Sequence, residues 1–398
     1  MITLDGATLV LPDRLLSPGT LVIEGDRIIH VVRRESASAP PLAGHFIVPA
    51  FVDVHVHGVD GNDTLEGRDA IARIADRLPS FGVGAFCPTT VACTPAQLRG
   101  MLDGVRSARE RLRPQASRVL PAHLESNFIN MDFRGAQPQA CICAPHGRAE
   151  GDFAGDDILA EIARAQADVG IVTVAPEIEG VLALIPDLVR RGHRVWIGHT
   201  GATYDQAAAG IAAGARQATH LFNRMTGLHH RTPGAVGAVL ESPDVAAELV
   251  CDGVHVHPAA VRAALAAKGA DKIMAITDGT GGSGRPPGST ASLGGRRITV
   301  RDAAYLDDGT MAGSVLTMDR AFRNLVLEMG VSLTQAAQVC ATTPARELGL
   351  HGLGVIAPGA IADVVVLDED LRVVQTYIAG RLAYFREAGG GRSAIPDR

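Results

Sequence analysis

The stretch FVDVHVHG, Phe51–Gly58, is the first of eight short apolar runs whose order along the chain decides the fold. Because side chains alternate across a strand, we expect His55 and His57 to point the same way. Two neighbouring imidazoles indicate either a pair of structural histidines or a metal site. The surrounding runs favour the metal.

The eight apolar runs alternate with longer segments in which apolar residues recur every three to four positions. The runs are 51–57, 83–90, 118–126, 171–177, 194–199, 217–223, 247–253 and 272–278, and helices are predicted at 68–78, 96–111, 157–169, 179–191, 204–213 and 258–268. Alternating strands and helices indicate parallel βαβ units. Eight units predict an α/β protein with a closed (β/α)8 barrel of the TIM type, which carries its catalytic groups at the carboxyl ends of the strands.

The two ends of the chain have a different pattern. Residues 1–48 and 353–385 alternate apolar and polar positions and contain turn residues, which is typical of a small β-sandwich built from both termini. We therefore predict a discontinuous β-sandwich domain, 1–48 plus 353–398, and a barrel domain, 49–352. Segments 135–155 and 278–295 are predicted to be irregular loops over the site, and the tail after Glu387 to be disordered.

The composition limits the class of protein and partner. The chain has 398 residues, of which 46% are hydrophobic, and a net charge of −6 without a dense basic cluster, which argues against nucleic-acid binding. No secretory signal and no run of roughly 18 apolar residues are evident, so no membrane span is predicted. The six cysteines fit reduced thiols better than a disulfide framework. We predict a cytoplasmic protein with a small-molecule partner.

Titratable residues occur at or near the ends of several predicted strands, namely His55, His57, Glu125, His199, His220 and Asp278. Strand ends converge on one face of a barrel, so these side chains are expected to meet. Imidazoles and carboxylates suit a divalent metal, Zn²⁺ foremost, with Fe²⁺, Mn²⁺ or Co²⁺ as alternatives. Asp278 is the only acid that ends the last run, which makes it the candidate general base and then acid.

Nine motifs follow one another along nearly the whole chain: PAFVDVHVHG, AHLESNFIN, TVAPE, GHTGATYDQAAAGIAAGARQATHLFNRM, LHHRTPGAVGAVL, CDGVHVHP, AITDG, AGSVLTMDRAFRNLV and GVIAPGAIADVVVLD. In this order they make the chain resemble the amidohydrolase superfamily and, within it, the N-acetylglucosamine-6-phosphate deacetylases. The resemblance implies that Glu125, His199 and His220 hold the catalytic metal. His55 and His57 would hold a second metal beside Asp278, giving one or two metals per subunit.

The resemblance also implies how a phosphate is bound. Backbone groups of Asn223 and Arg224, the His255 side chain, and Arg231 reaching across from the neighbouring subunit would hold it. The role of Arg231 implies a homodimer. The partner would be an amino-sugar phosphate.

Two departures from the family pattern concern the sugar and acyl side of the site. The family usually reads HLEGPF, where Ser126 and Asn127 stand here, and GAH, where this chain has Gln137. The family's histidine helps to polarise the substrate carbonyl, whereas glutamine donates a hydrogen bond without carrying charge. Gln137 stays a candidate substrate-binding residue.

The predicted function is metal-dependent hydrolysis of an N-acetyl amide by metal-bound hydroxide, converting N-acetylglucosamine 6-phosphate to glucosamine 6-phosphate and acetate. One alternative is deacetylation of a different N-acyl amino sugar or small amide. Another is a non-catalytic barrel scaffold, a class that typically loses metal ligands. This chain keeps them all.

Overall fold

The structure is a computed structural model that describes residues 1–35, 38, 40–111 and 113–387, so the prediction for the tail lies outside the described residues. The strands are β1 (Ile2–Val10), β2 (Leu15–Glu24), β3 (Arg27–Arg33), β4 (Phe46–Pro49), β5 (Phe51–Val56), β6 (Gly58–Val59), β7 (Asn62–Asp63), β8 (Val83–Thr90), β9 (Arg118–Val119), β10 (Ala122–Glu125), β11 (Val169–Val174), β12 (Arg194–Ile197), β13 (Gln217–Ala218), β14 (Ala246–Val250), β15 (Ile273–Ile276), β16 (Thr290–Leu293), β17 (Arg296–Val300), β18 (Ala304–Leu306), β19 (Val364–Leu367), β20 (Val373–Ile378) and β21 (Arg381–Phe385).

The helices are α1 (Arg68–Arg77), α2 (Pro95–Glu110), α3 (Gly155–Arg164), α4 (Val181–Arg190), α5 (Tyr204–Ala213), α6 (Gly234–Glu241), α7 (Pro258–Lys268), α8 (Met318–Leu327), α9 (Leu333–Ala337) and α10 (Thr343–Glu347). Short 3-10 turns occupy Thr64–Glu66, Leu78–Phe81, Met131–Phe133, Gln139–Cys141 and Gln166–Asp168, and a π-helical turn, Gln338–Thr342, joins α9 to α10. None of the helices in the described part of the chain is long and apolar enough to cross a membrane.

Eight parallel strands form the barrel in the order β5, β8, β10, β11, β12, β13, β14 and β15, with β9 paired to β8. The circle closes where the backbone N–H groups of His57 and Gly58 donate to the Gly279 carbonyl at 2.8 and 2.9 Å. A parallel bridge between Val56 and Gly279 lies beside them. All eight predicted runs supply strands, so the predicted (β/α)8 barrel is confirmed.

The helices pack their apolar stripes against the outside of the barrel. In α2, for example, the Thr94 hydroxyl accepts the Gln97 backbone N–H and the Gln97 side chain accepts the Thr94 N–H, which fixes the start of the helix. Four helices, α6, α8, α9 and α10, were not predicted. Helix α6 is buried along almost its whole length and therefore lacks the polar face by which a helix is recognised.

The two ends of the chain share one seven-stranded sheet in the order β21, β20, β19, β4, β1, β2 and β3. Every neighbouring pair is antiparallel except β1 and β4. Leu9, Leu21, Ile23 and Val364 contribute to a hydrophobic cluster that is separate from the barrel core. The predicted β-structure from both termini is therefore present, whereas its boundaries as a domain stay a prediction.

A small sheet corrects the prediction for the loop after the eighth strand. Residues 278–295 were expected to be irregular, but β16, β17 and β18 form a three-stranded antiparallel sheet that begins at Thr290. Gly294 and Gly295, with φ of 60° and 77°, make the tight turn between β16 and β17. The two glycines favoured a loop in the sequence, but in the structure they form the turn of a β-hairpin. Segment 135–155, in contrast, contains one 3-10 turn and is otherwise largely irregular.

Candidate metal centre

The carboxyl ends of the barrel strands enclose a cavity of about 430 Å³. Its buried floor includes five of the predicted metal ligands, namely His57, Glu125, His199, His220 and Asp278. A larger cleft of about 870 Å³ lies between α1, the end of α2 and the terminal sheet, and it contains none of them. The predicted metal ligands are therefore concentrated in the smaller cavity.

Glu125, His199 and His220 form what we call the first ligand group. Glu125 Oε1 lies 2.7 Å from His199 Nε2 and 2.8 Å from His220 Nε2, and these two ring nitrogens are 3.1 Å apart. His199 Nδ1 donates to the Phe133 carbonyl at 2.9 Å. The proton is therefore on Nδ1, and the lone pair of Nε2 faces the centre.

His55, His57 and Asp278 form the second ligand group. The Nε2 atoms of His55 and His57 are 3.1 Å apart, and Asp278 Oδ1 lies 3.5 and 3.2 Å from them, respectively. Glu125 Oε2 is 3.5 Å from His57 Nε2, while its Oε1 faces the first group. Glu125 therefore lies between the two groups.

Three of these residues are presented by an unusual backbone. His199, His220 and Asp278 each follow the last residue of β12, β13 or β15 by two positions, and their φ angles are 47°, 29° and 48°. Left-handed backbone is uncommon and costly for residues other than glycine. Its recurrence at three strand ends marks a functional arrangement, in which the turn directs each side chain into the barrel mouth.

The donor set fits divalent metal ions. Within each pair, His199 with His220 and His55 with His57, two ring nitrogens face each other at 3.1 Å. Imidazole nitrogens and carboxylate oxygens that converge in this way are typical ligands of Zn²⁺ and similar ions.

Electrostatics favours the protonation state that ligation requires at Glu125, Asp278 and His55, but not at His220 and His57. Burial would raise the pKa of Glu125, but the charge of His199 and hydrogen bonds from His199 and His220 hold it well below its usual range. Burial likewise opposes ionisation of Asp278, yet the hydrogen bond to His57 and the neighbouring histidine charges lower its pKa. Burial lowers the pKa of His55 to about 3. Ionised carboxylates and a neutral imidazole are what a metal needs.

Burial would also lower the pKa of the His220 and His57 rings, yet the hydrogen bond to Glu125 and nearby carboxylate charges raise the pKa of His220 to about 9, and the hydrogen bond to Asp278 with nearby carboxylate charges raises the pKa of His57. A divalent ion bound there would displace these protons.

The predicted substrate-binding residues divide into two sets. Asn223, Arg224, His255 and Gln137 line the cavity, whereas Arg231 is exposed and is not part of the lining. His255 Nδ1 is 2.6 Å from Asp252 Oδ2, while the neighbouring His257 accepts the Ala259 N–H and begins α7. Of these two histidines, only His255 borders the cavity.

The departures from the family pattern have different structural roles. The Ser126 hydroxyl donates to the Thr173 carbonyl at 2.6 Å, and Asn127 Nδ2 donates to the carbonyls of Cys93 and Cys141. Gln137 Oε1 accepts the Ala92 N–H at 2.6 Å, which turns its Nε2 toward Glu125 Oε2 as a donor. Among the three, only Gln137 lines the cavity.

Two buried residues next to the ligands were missed from the sequence. Glu248 of β14 contacts His55, and His123 of β10 packs edge-on against the same ring, with 4.6 Å between the ring centroids. The prediction was based on the last residue of each apolar run, whereas both His123 and Glu248 lie inside a strand. The period-two alternation that relates His123 to Glu125 is the signal that finds inward-facing positions.

The chain matches the sequence model of the amidohydrolase family over residues 46–383. It is 36% identical over 363 residues to N-acetylgalactosamine-6-phosphate deacetylase of Escherichia coli O157:H7, which covers 90% of this chain and 93% of that protein. It is 34% identical over 345 residues to N-acetylglucosamine-6-phosphate deacetylase of Lysinibacillus sphaericus, covering 85% and 86% of the two chains.

Two solved structures that resemble this chain belong to the same family of deacetylases. A variant of N-acetyl-D-glucosamine-6-phosphate deacetylase from Mycobacterium smegmatis, in complex with N-acetyl-D-glucosamine-6-phosphate, is similar with a TM-score of 0.86 and 33% identity, over 96% of this chain and 99% of that one. The enzyme of the same name from Thermotoga maritima has a TM-score of 0.84 and 32% identity, over 96% and 100%. This chain belongs to the amidohydrolase family and, within it, to the N-acetylglucosamine-6-phosphate deacetylase family.

Proposed function

We propose that this protein hydrolyses the N-acetyl amide of an amino-sugar 6-phosphate, with N-acetylglucosamine 6-phosphate as the first candidate. The observation that carries the proposal is the convergence of Glu125, His199 and His220 with Asp278 on the floor of one cavity. Relatives named as deacetylases of N-acetylglucosamine 6-phosphate and of N-acetylgalactosamine 6-phosphate support this substrate class.

The metal chemistry follows from the ligands. A divalent ion held by the first ligand group would polarise the amide carbonyl and lower the pKa of water from about 15.7 toward about 7. We propose Zn²⁺ there, because Zn²⁺ is commonly bound by a few histidine and carboxylate ligands. His55, His57 and Asp278 would hold a second ion, with Glu125 between the two sites.

Asp278 is suited to move the proton. Its carboxylate belongs to the second ligand group and borders the same cavity as the first group, so one face is available to water and substrate. Asp278 would take a proton from the attacking water and then deliver it to the amine that leaves. A positioned carboxylate in this role contributes about 10²–10⁴-fold to the rate.

The phosphate would bind at the opposite side of the cavity. Asn223 and Arg224 follow His220 in a turn with φ of 78° at Phe222 and 50° at Arg224, and His255 lies on the next loop around the barrel. Arg231 is exposed outside the cavity of its own chain, and the resemblance to the family implies that it reaches the phosphate from a neighbouring subunit of a homodimer. We place this reaction in the cytoplasm, consistent with six free, buried cysteines.

Acetate release from a panel of N-acetylated sugars tests the proposal. The panel contains N-acetylglucosamine and N-acetylgalactosamine, each with and without the 6-phosphate, together with N-propionyl analogues. We expect rapid release only from the phosphorylated N-acetyl sugars, and comparison of the two epimers assigns the sugar. Equal rates with and without phosphate would contradict the roles of Arg224 and His255.

An alternative acyl substrate is favoured by one observation, which is Gln137 at the family's histidine position. Gln137 donates to Glu125 Oε2 and borders the cavity, so it changes the donors available next to the acyl group. Faster release of propionate than of acetate would favour this second function. Similar rates for parent and Gln137→His protein would argue against it.

A further inference from the structure

Glu248 is a buried carboxylate that contacts one histidine of each ligand group. Its Oε2 lies 3.0 Å from His55 Nδ1 and 2.9 Å from the backbone nitrogen of His220. Both nitrogens donate to this single oxygen. The backbone carbonyl of Glu248 also accepts the N–H of Leu221 at 2.9 Å, so Glu248 binds two consecutive N–H groups of the turn that presents His220.

The contact with His55 determines which ring nitrogen carries the proton. Because Glu248 Oε2 accepts from Nδ1, the proton resides there, and the lone pair of Nε2 faces His57 and the centre. A carboxylate that accepts the far N–H of a ligating imidazole fixes both its tautomer and its ring orientation. The side chain of His55 is completely buried, so water does not offer an alternative acceptor.

The contact with His220 stabilises a strained backbone. His220 has a φ of 29°, in the left-handed region that is unfavourable for residues other than glycine. Two hydrogen bonds from the turn to Glu248 hold that conformation. The orientation of His220 Nε2 toward Glu125 therefore depends on Glu248, although Glu248 Oε2 bonds to the backbone of His220 and not to its ring.

A buried acid at this position lowers the stability of the fold. The Glu248 side chain is completely buried, and its Oε1 has no hydrogen-bond partner among the described residues. Ala246 and Val250, which lie two positions away on the same face of β14, are buried in the barrel interior without this cost. A role in packing alone would be better served by such a residue.

We propose that Glu248 is a positioning residue that couples the two metal sites, through the tautomer and ring orientation of His55 and the backbone turn of His220. The inference rests on the proposed metal chemistry. It predicts that loss of one acceptor oxygen weakens both metal sites together.

Metal binding by variants of the full-length chain tests this role. Glu248→Met removes the acceptor at similar volume, and Glu248→Gln keeps an oxygen that accepts the same two N–H groups. We expect Zn²⁺ affinity, measured by competition with a chromogenic chelator, to fall about 10–100-fold at both sites in Glu248→Met and to stay within a few-fold of the parent in Glu248→Gln. The visible spectrum of the Co²⁺-loaded protein should change only in Glu248→Met.

Glu161→Met is the matched control, because Glu161 is also buried but pairs with Arg99 and Arg164 away from the cavity. This control should lower stability and leave metal affinity and the Co²⁺ spectrum unchanged. Parental metal affinity in Glu248→Met would overturn the proposal, as would equal losses in Glu248→Gln and Glu248→Met. A parent chain that binds no divalent metal would instead overturn the proposed function, and this inference with it.

A measurement on the unmodified ligands keeps the proposal testable if Glu248→Met does not fold. In Zn²⁺-loaded protein labelled with ¹⁵N-histidine, the resonances that disappear in His55→Ala identify His55. The proposal requires a protonated Nδ1 on this ring. An unprotonated Nδ1 would overturn it.

Discussion

The two ligand groups share one cavity but are built differently. All three members of the first group, Glu125, His199 and His220, border the cavity, whereas the second group extends beneath it, with His55 outside the lining. The first group gathers Glu125 from β10 and the two histidines from the turns after β12 and β13, while His55 and His57 come from β5 and the residue after it. The difference suggests that the first group binds the catalytic metal, while the second group reaches the substrate through Asp278 and is anchored beneath the cavity by His55.

Glu125→Ala should have the largest effect, because Glu125 faces both groups. We expect metal to be lost from the first group and weakened in the second, and the rate of acetate release to fall by roughly 10³-fold or more, since the Lewis acid contributes several kcal/mol. Metal content per chain and steady-state rates measure the two effects. Full retention of metal in this variant would show that Glu125 is not a ligand of either group.

Asp278→Asn separates proton transfer from metal binding. The asparagine has a similar shape but cannot take a proton, so kcat should fall about 10²–10⁴-fold. Metal in the first group should be retained, because Asp278 belongs to the second. An unchanged turnover of metal-loaded protein would refute the role of Asp278 as general base.

The double variant His55→Ala/His57→Ala tests whether the second group holds an ion. We expect metal content to fall by one ion per chain, with the first group still occupied and with acetate release reduced but measurable. The physical reason is that Glu125, His199 and His220 provide a complete set of three ligands without the pair. The same metal content as in the parent would show that the two histidines are structural.

The smallest expected effect concerns a charge far from both groups. Hydrogen bonds from Arg99, opposed by burial, and the pairing with Arg164 lower the pKa of Glu161. Its contribution to stability is therefore present above the unfolded value of about 4.3 and is lost as pH falls through the lower folded pKa. Glu161→Gln should cost about 1 kcal/mol in urea unfolding at pH 7 and less near pH 3.

The exposed pair of Asp13 and Arg14 offers a control for the pH experiment. Asp13→Asn should leave the free energy of unfolding nearly unchanged at both pH values. A difference between parent and Glu161→Gln that grows as pH falls would contradict the direction given for the pKa of Glu161.

The sequence predicted the parts of the molecule that follow a simple period. Alternation in FVDVHVHG placed His55 and His57 on one face, and eight apolar runs identified the barrel. The features that the sequence did not predict depend on contacts between distant segments or on residues that suit more than one structure. Glu248 became apparent only when β14 lay beside the turn of His220, and the β16–β17 hairpin was hidden by glycines that also suit loops.

The position of β19 between β4 and β20 has a consequence for the order in which the protein is synthesised. Strands β1 to β4 leave the ribosome before β19, so the edge of β4 is paired only after residues 364–367 have been added, more than 300 residues later. Until then, the nascent chain exposes an apolar strand edge, which is a site for unwanted pairing with other chains. Chaperones that shield nascent chains are therefore expected to matter most for the amino-terminal strands.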